Sequence, residues 1–174
     1  MSTATYSLWL MPIRDLYNKF ATIVDTLSIK YASPKFEPHV TLLGSITTTE
    51  KEILEKTQKL ARSIDSYTVN LTTVEYEDYY FRSLFVKAKK TPEVIDANRK
   101  AKEIFGMQTN QEYMPHLSLL YGDFSSTIKK EIIKKIGTDF ISIFEVKSIH
   151  LFEAHENLDI SLWRRIKEFP LKNS

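Results

Sequence analysis

The spacing of apolar residues along the chain predicts four amphipathic helices. In the first, at about residues 13–27, apolar side chains recur every three or four positions and form one broad stripe. Residues of the types that begin and end helices mark the boundaries of the other three. These are the capping-box pair Thr49 and Glu52, the pair Thr91 and Pro92, Gly106, Ser126 as an N-cap, and Gly137.

Shorter segments, either continuously apolar or alternating, lie between these helices and predict strands. They cover residues 6–11, 40–43, 67–74, 80–88, 117–121, 140–152 and 162–169. Long Val- and Ile-rich strands of the kind that build all-parallel sheets do not occur among them. The sequence therefore predicts an α+β fold, with largely antiparallel sheets and the helices outside them.

The composition narrows the classes of function. The chain has 174 residues, a formal net charge of +2 and no cysteine. The length suits one domain, and the small charge does not by itself indicate a long polyanionic partner. The missing cysteines exclude disulfides, thiolate catalysis and Cys-based zinc sites. Since the first apolar run, residues 8–11, is too short for a signal or membrane segment, we expect a cytoplasmic protein with no membrane partner.

One short pattern occurs twice and is the strongest functional signal. Residues 38–44 are Pro-His-Val-Thr-Leu-Leu-Gly, and residues 115–122 are Pro-His-Leu-Ser-Leu-Leu-Tyr-Gly. In a strand, side chains two positions apart point to the same face. We therefore expect each histidine, His39 and His116, to share a polar face with the hydroxyl two residues later, while the intervening apolar residues enter the core.

Two histidine–hydroxyl pairs suit the hydrolysis of a cyclic phosphodiester on a ribose. One imidazole can deprotonate the attacking water and the other can protonate the departing ribose oxygen, since histidine titrates near neutral pH. The hydroxyls of Thr41 and Ser118 can donate hydrogen bonds to the non-bridging phosphate oxygens. A histidine followed two positions later by Ser or Thr is common, so this hypothesis depends on the matching flanks of the two copies.

The alternative role for His39 and His116 is to bind a metal ion as ligands. Such a site would need a third ligand, commonly His, Asp or Glu, and neither a His-x-His nor a His-Glu-x-x-His pattern occurs. We therefore expect neither a metal nor another cofactor. The other two histidines, His150 in a late strand and His155 in a polar loop, lack the repeated context, so we expect structural or solvent-exposed roles for them.

The chain resembles the 2H phosphoesterase superfamily, named for two His-x-Thr/Ser motifs, and within it the plant-type cyclic nucleotide phosphodiesterases. The resemblance rests on residues 36–41, Phe-Glu-Pro-His-Val-Thr, on residues 113–121, Tyr-Met-Pro-His-Leu-Ser-Leu-Leu-Tyr, and on the helix start at 91–94. It implies a single bilobal domain over residues 1–174, in which two mostly antiparallel sheets line a central cleft. It also implies metal-independent hydrolysis of ADP-ribose 1″,2″-cyclic phosphate to ADP-ribose 1″-phosphate, a step of tRNA splicing, and of nucleoside 2′,3′-cyclic phosphates to 2′-phosphates.

The same resemblance assigns roles to individual residues by motif position. It implies that His39 and His116 are the catalytic pair, with His116 assigned here as base and His39 as acid. It implies that Thr41 and Ser118 hold phosphate oxygens and that Tyr121 lies in the cleft.

Two further aromatic residues are candidates for stacking on the base or ribose of the substrate. Phe81 lies in a predicted strand that matches the aromatic strand of the family, and Trp163 lies in the last predicted strand. Buried aromatic residues more often belong to the core, so both interpretations stay open.

Two other functions on the same fold stay open as well. An RNA-processing 2H enzyme, such as a 2′-5′ phosphodiesterase or an RNA-end trimming exonuclease, should have a basic groove leading to the histidines. Basic clusters occur at 87–90, 129–135 and 164–167, although the second is also typical of a solvated helix face. A non-catalytic nucleotide or RNA sensor would bind without turnover. We expect a small cyclic phosphate nucleotide as the partner, no obligatory nucleic acid, and a monomer.

Overall fold

The computed structural model describes residues 2–107, 112–155, 157 and 159–173. Within these ranges the helices are α1 (Arg14–Tyr31), α2 (Glu50–Arg62), α3 (Pro92–Phe105) and α4 (Ser126–Ile136). The strands are β1 (Thr3–Leu10), β2 (Val40–Thr49), β3 (Tyr67–Glu75), β4 (Leu84–Ala88), β5 (His116–Leu120), β6 (Asp139–Val146), β7 (Ser148–Glu153) and β8 (Arg164–Pro170). In this part of the chain, no helix is both long and apolar enough to cross a lipid bilayer.

The strands form one sheet in the order β6-β3-β4-β5-β2-β1-β7-β8, with antiparallel pairing between neighbours. The sheet has two halves of four strands, and the first motif copy lies in β2 of one half while the second lies in β5 of the other. The halves meet between these two strands, through the pair Val40 and Leu117. The predicted α+β class with antiparallel strands is confirmed, and the two expected sheets are the halves of one continuous sheet.

The helices and the sheet enclose the main hydrophobic core. Helix α1 packs on β5, α3 packs on β2 and β3, and α2 packs on β2, β7 and β8. The apolar residues of the two motifs are almost completely buried in this core: Val40, Leu42, Leu117 and Leu119. Burying one Val or Leu side chain stabilises a fold by about 1.5–3 kcal/mol. Strand alternation therefore turns the polar motif residues to the opposite face of the sheet.

The helix termini agree with the predicted caps except at the fourth helix. The hydroxyl of Thr49 accepts a hydrogen bond from the backbone N–H of Glu52 at 3.3 Å, and Gly106 ends α3 in the left-handed region at φ 65°. The prediction of Ser126 as N-cap is wrong. Ser125 has the extended backbone and accepts the capping hydrogen bond at 3.4 Å, whereas Ser126 is the first helical residue.

Two predicted strands begin later than expected, which changes the setting of Phe81 and Trp163. The segment 80–88 begins with a 3₁₀ turn, Tyr80–Arg82, and β4 starts only at Leu84. Trp163 follows a second 3₁₀ turn and lies immediately before β8. An aromatic-rich segment resembles a buried strand in sequence, but these two rings line a cavity outside the main core.

Helix α4 contains one residue, Lys129, whose position differs from the prediction. Its basic cluster is typical of a solvated helix face. The side chain of Lys129 is 1% exposed, and its Nζ donates hydrogen bonds to the carbonyl oxygen of Glu77 at 2.7 Å and to the carboxylate of Asp78 at 2.9 Å. A buried ammonium group is tolerated only when hydrogen-bonded partners compensate for its lost hydration. Lys129 therefore ties α4 to the loop that precedes β4.

Candidate active site

The polar residues of the two motifs lie together on the sheet, around the pair Val40 and Leu117. Because side chains alternate along a strand, the residues immediately before and after each member of this pair point away from the core. One cavity of about 200 Å³ is lined by all four of these polar residues: His39, Thr41, His116 and Ser118.

The two imidazoles are held by equivalent hydrogen bonds. Nδ1 of His39 lies 2.7 Å from the carbonyl oxygen of Glu37, and Nδ1 of His116 lies 2.9 Å from that of Met114. A carbonyl oxygen only accepts, so Nδ1 bears the proton and donates in both rings. The other ring nitrogen, Nε2, then has the lone pair in the neutral imidazole and a transferable proton in the imidazolium form.

Aromatic rings restrain the planes of both imidazoles. Trp9 stacks on His39 with the ring centroids 3.5 Å apart and an interplanar angle of 4°. Phe85 meets His116 edge to face, with centroids 5.2 Å apart. The indole N–H of Trp9 donates a hydrogen bond to the hydroxyl of Ser7 at 2.7 Å, which fixes the indole in turn. Packing of this kind locks side-chain rotamers and holds reacting groups in place.

Burial lowers the pKa of both histidines. Desolvation is the main reason why the pKa of His39 falls from 6.5 to about 3. The charge of His116 lowers this pKa further, whereas the hydrogen bond to the carbonyl of Glu37 raises it. Desolvation also lowers the pKa of His116; the positive charge of Arg82 adds to this effect, while the carbonyl of Met114 and the carboxylate of Glu77 oppose it. Both imidazoles are therefore neutral at pH 7 without a bound anion. An anion bound beside a histidine favours the protonated form of the ring and raises its pKa.

The two motif hydroxyls differ in their contacts. Oγ of Ser118 is buried and donates a hydrogen bond to the carbonyl oxygen of Phe81 at 3.0 Å. Thr41 is half-buried and pairs with Trp9 across the neighbouring strands β2 and β1. Since both residues line the cavity, each hydroxyl can donate to an anion there, Ser118 after giving up its contact with Phe81.

The three aromatic residues predicted at the cleft all line the cavity. The rings of Phe81 and Trp163 are almost parallel, with centroids 6.2 Å apart and an interplanar angle of 20°. Tyr121 is 4% exposed, stacks on Phe36 at 3.8 Å and meets Phe81 edge to face at 5.2 Å. Tyr121 is therefore mainly part of the wall, while the half-buried Phe81 and Trp163 keep surface for a ligand.

Sequence reasoning missed several residues of the cavity wall, namely Ser7, Trp9, Arg82 and His155. A usable signal existed for the first two, because Ser7 and Trp9 lie two positions apart in β1 and share a face, like the residues of each motif. No comparable signal marks Arg82. A structural or solvent-exposed role was expected for His155, and the structure places it in the wall of the cavity.

The fourth histidine, His150, lies in β7 and is 8% exposed. Its Nε2 is 3.2 Å from the hydroxyl of Ser148, so of the structural and solvent-exposed roles expected for it, the buried side chain fits the structural one. Within the described ranges, no group of three His, Cys, Asp or Glu side chains is arranged to hold a metal ion.

Several known proteins are similar to this chain in sequence. The family described as cyclic phosphodiesterase-like protein matches residues 1–160. The chain is 31% identical to a cyclic phosphodiesterase of Arabidopsis thaliana over 133 residues, which cover 76% of this chain and 74% of that one. It is 25% identical to a 2′,3′-cyclic-nucleotide 3′-phosphodiesterase of Yarrowia lipolytica over 157 residues, covering 67% of this chain and 73% of that one.

The fold is also that of a solved bacterial protein, E. coli LigT, crystallised in complex with 3′-AMP. The TM-score is 0.70 over 98% of this chain and 99% of that chain, at 13% sequence identity. Such a low identity shows a common fold only, whereas the family match and the Arabidopsis relative show common descent in sequence. The chain belongs to the cyclic phosphodiesterase-like family of the 2H phosphoesterases and is an enzyme of that class.

Proposed function

We propose that this enzyme hydrolyses small ribose cyclic phosphodiesters by acid–base catalysis with His39 and His116 and without a metal ion. Its substrates are nucleoside 2′,3′-cyclic phosphates, opened to 2′-phosphates, and ADP-ribose 1″,2″-cyclic phosphate, opened to the 1″-phosphate in tRNA splicing. The observation that supports this most is that both imidazoles line one cavity with Nδ1 tied to a backbone carbonyl. Each Nε2 is thereby prepared to accept or donate a proton.

The reaction needs one proton to be removed and one to be delivered. The water oxygen bonds to phosphorus while His116 Nε2 takes the water proton, and the P–O3′ bond breaks while His39 Nε2 protonates O3′. For this, His39 must be protonated and His116 neutral when the monoanionic substrate is bound. The anionic phosphate supplies the charge that lets one imidazole hold a proton, despite the low pKa that burial imposes on His39.

The reverse order, with His39 as base and His116 as acid, has an observation in its favour. The pKa of His39 falls to about 3, and a stacked, desolvated imidazole is more easily kept neutral. A cyclic phosphate with sulfur in place of O3′ distinguishes the two orders, because a thiolate leaves without protonation. If His39 is the acid, this substrate restores turnover to His39→Ala but not to His116→Ala. If His116 is the acid, the substrate restores turnover to His116→Ala but not to His39→Ala.

The hydroxyls and the aromatic rings complete the proposed substrate site. Thr41 and Ser118 donate hydrogen bonds to the two non-bridging phosphate oxygens, which stabilises the charge that develops as water attacks. Phe81 and Trp163 stack on the base or ribose, and Tyr121 supports the ring of Phe81 at 5.2 Å. A base–aromatic stack contributes about 1–3 kcal/mol to binding.

A small nucleotide fits this chain better than a long RNA, and we propose that the enzyme works as a monomer in the cytoplasm without nucleic acid. An RNA enzyme presents basic side chains to the phosphates along a groove. Here four of the ten basic residues in the sequence clusters face carboxylates: Lys87 with Glu75, Lys90 with Glu112, Arg164 with Glu153, and Arg165 with Glu37. Lys129, from the remaining cluster, is buried.

Product analysis tests the proposed substrates. Adenosine 2′,3′-cyclic phosphate, ADP-ribose 1″,2″-cyclic phosphate and a 2′-5′-linked oligoadenylate are each incubated with enzyme in EDTA, and the products are identified by phosphorus NMR. We expect adenosine 2′-phosphate from the first compound and ADP-ribose 1″-phosphate from the second. The oligoadenylate should remain intact. Preferential cleavage of the oligonucleotide would favour the RNA-processing function, and binding without ring opening would indicate a sensor.

A further inference from the structure

The cavity contains a permanent cation that no motif predicts. Among the described residues that line it, Arg82 is the only Lys or Arg, and none is Asp or Glu. We propose that Arg82 binds the phosphate group of substrate and product directly and is a catalytic residue of this site. This proposal deepens the proposed function and rests on it for the identity of the anion.

Two neighbouring side chains orient the Arg82 guanidinium. Its Nε donates to the carboxylate of Glu77 at 2.7 Å, and its central carbon lies 4.8 Å from the ring centroid of Tyr79. A guanidinium group has five N–H donors in a fixed plane, so a contact through Nε positions the group without using its terminal nitrogens. Those nitrogens are the donors that match two oxygens of a phosphate.

The backbone places Arg82 beside the second motif. The carbonyl oxygen of Phe81, the preceding residue, accepts the hydrogen bond of Ser118 at 3.0 Å. The loop itself is closed by a hydrogen bond from the N–H of Glu77 to the carbonyl of Arg82 at 3.1 Å. Buried Lys129 holds the same loop through the carbonyl of Glu77 at 2.7 Å. These hydrogen bonds hold the loop in place, and Arg82 reaches the cavity from it, close to Ser118.

The charge of Arg82 suits both the proton transfer and the change of charge in the reaction. It lowers the pKa of His116 and so favours the neutral ring that a base must have before the reaction, while the carboxylate of Glu77 acts in the opposite direction. The cyclic diester has one negative charge, and its charge grows when water attacks and the monoester forms. A fixed cation therefore stabilises the transition state more than the substrate.

Calorimetric binding tests this assignment without turnover. The probe is adenosine 2′-monophosphate, compared with uncharged adenosine, and the variants are Arg82→Gln, Arg82→Lys and the exposed control Arg62→Gln. We expect Arg82→Gln to bind the monophosphate about 10- to 100-fold more weakly and adenosine equally well. Arg82→Lys should be intermediate, and Arg62→Gln should match the parent. Thermal melts establish that each variant is folded.

A second readout is the pH dependence of turnover. In Arg82→Gln the Glu77 carboxylate acts on His116 without the opposing Arg82 charge, so the ionisation assigned to His116 should move to higher pH, whereas Arg82→Lys, which retains the charge, should not show this shift. Unchanged affinity for the monophosphate in Arg82→Gln, an equal loss for adenosine, or no binding to the parent would each overturn the proposal. Charge-dependent binding in an enzyme that opens no cyclic phosphate would instead refute the proposed function and leave this assignment standing.

Discussion

Val40 pairs with Leu117 in antiparallel register, and in the described part of the chain this is the one register pair that joins β2 to β5. Both residues are completely buried, and each is flanked in sequence by a histidine and a hydroxyl residue. An apolar pair in the core therefore sets the relative position of two polar pairs on the other face. Core packing and the geometry of the candidate site are consequently linked through the same two residues.

Truncation of this pair should weaken the fold. Leu117→Ala removes a fully buried side chain from the main core and leaves a cavity, which should lower the free energy of unfolding by about 2–5 kcal/mol. Urea denaturation followed by circular dichroism measures the change. The matched control Ile29→Ala alters a side chain that is 85% exposed and should change stability by less than about 0.5 kcal/mol. Equal effects would show that the pair is not a core contact.

The motif hydroxyls should affect the rate more than substrate binding. Thr41→Val and Ser118→Ala should each lower kcat by about 10²–10³-fold, because a donor to the transition-state oxyanion is lost. Steady-state kinetics on adenosine 2′,3′-cyclic phosphate measures this. Thr47→Val is the control, since it makes the same chemical change at an exposed position of β2 outside the cavity. If both motif variants kept the parental kcat, the two hydroxyls would not take part in catalysis.

Lys129 should stabilise the loop that precedes β4. Lys129→Met keeps most of the buried volume but leaves the carbonyl of Glu77 without its hydrogen bond, at a cost of about 1–3 kcal/mol in unfolding free energy. Because the loop includes Phe81 and Arg82, KM should rise as well. The neighbouring exposed residue supplies the control, Lys130→Met, which should behave like the parent in both measurements.

Acidification should destabilise the protein through its buried histidines. The pKa of His39 is about 3 in the folded chain and 6.5 without burial, so the unfolded chain takes up more protons between these values. The free energy of unfolding therefore decreases as the pH falls from 6.5 towards 3, by up to about 1.4 kcal/mol per pH unit for one histidine.

Urea denaturation at pH 7 and pH 5 measures this slope. His39→Asn should make it shallower, because the variant lacks the group that is protonated only on unfolding. The exposed variant Thr47→Val should keep the parental slope. A parental slope in His39→Asn would show that His39 is not held neutral by burial.

The sequence predicts those parts of the fold that depend on local chemistry. The four helices and most strands follow from apolar periodicity, and the caps at Thr49 and Gly106 follow from the preferences of single residues. The two motifs could be found because each combines a polar residue pair with buried leucines in one strand. Their meeting at Val40 and Leu117 is a long-range contact, which the resemblance to the 2H proteins implies and periodicity alone does not.

The remaining errors have physical causes. Phe81 lies in a short turn and Trp163 directly follows another, and both rings face a cavity; apolar character does not distinguish such a cavity wall from a strand in the core. Lys129 is buried because a loop distant in sequence supplies its acceptors, so helical periodicity places it wrongly among the solvated lysines. Arg82 and His155 reach the cavity from irregular segments, where neither strand nor helix spacing applies.

The most direct measurement is turnover of adenosine 2′,3′-cyclic phosphate in EDTA by the parent, His39→Ala, His116→Ala and the double variant. We predict that the parent stays active under chelation and that each single variant loses about 10²–10⁴-fold in rate. The double variant should be little slower than either single variant, because the two proton transfers belong to the same displacement at phosphorus and the two imidazoles act as a unit. Turnover at the parental rate in either single variant, or loss of parental activity in EDTA, would contradict the account.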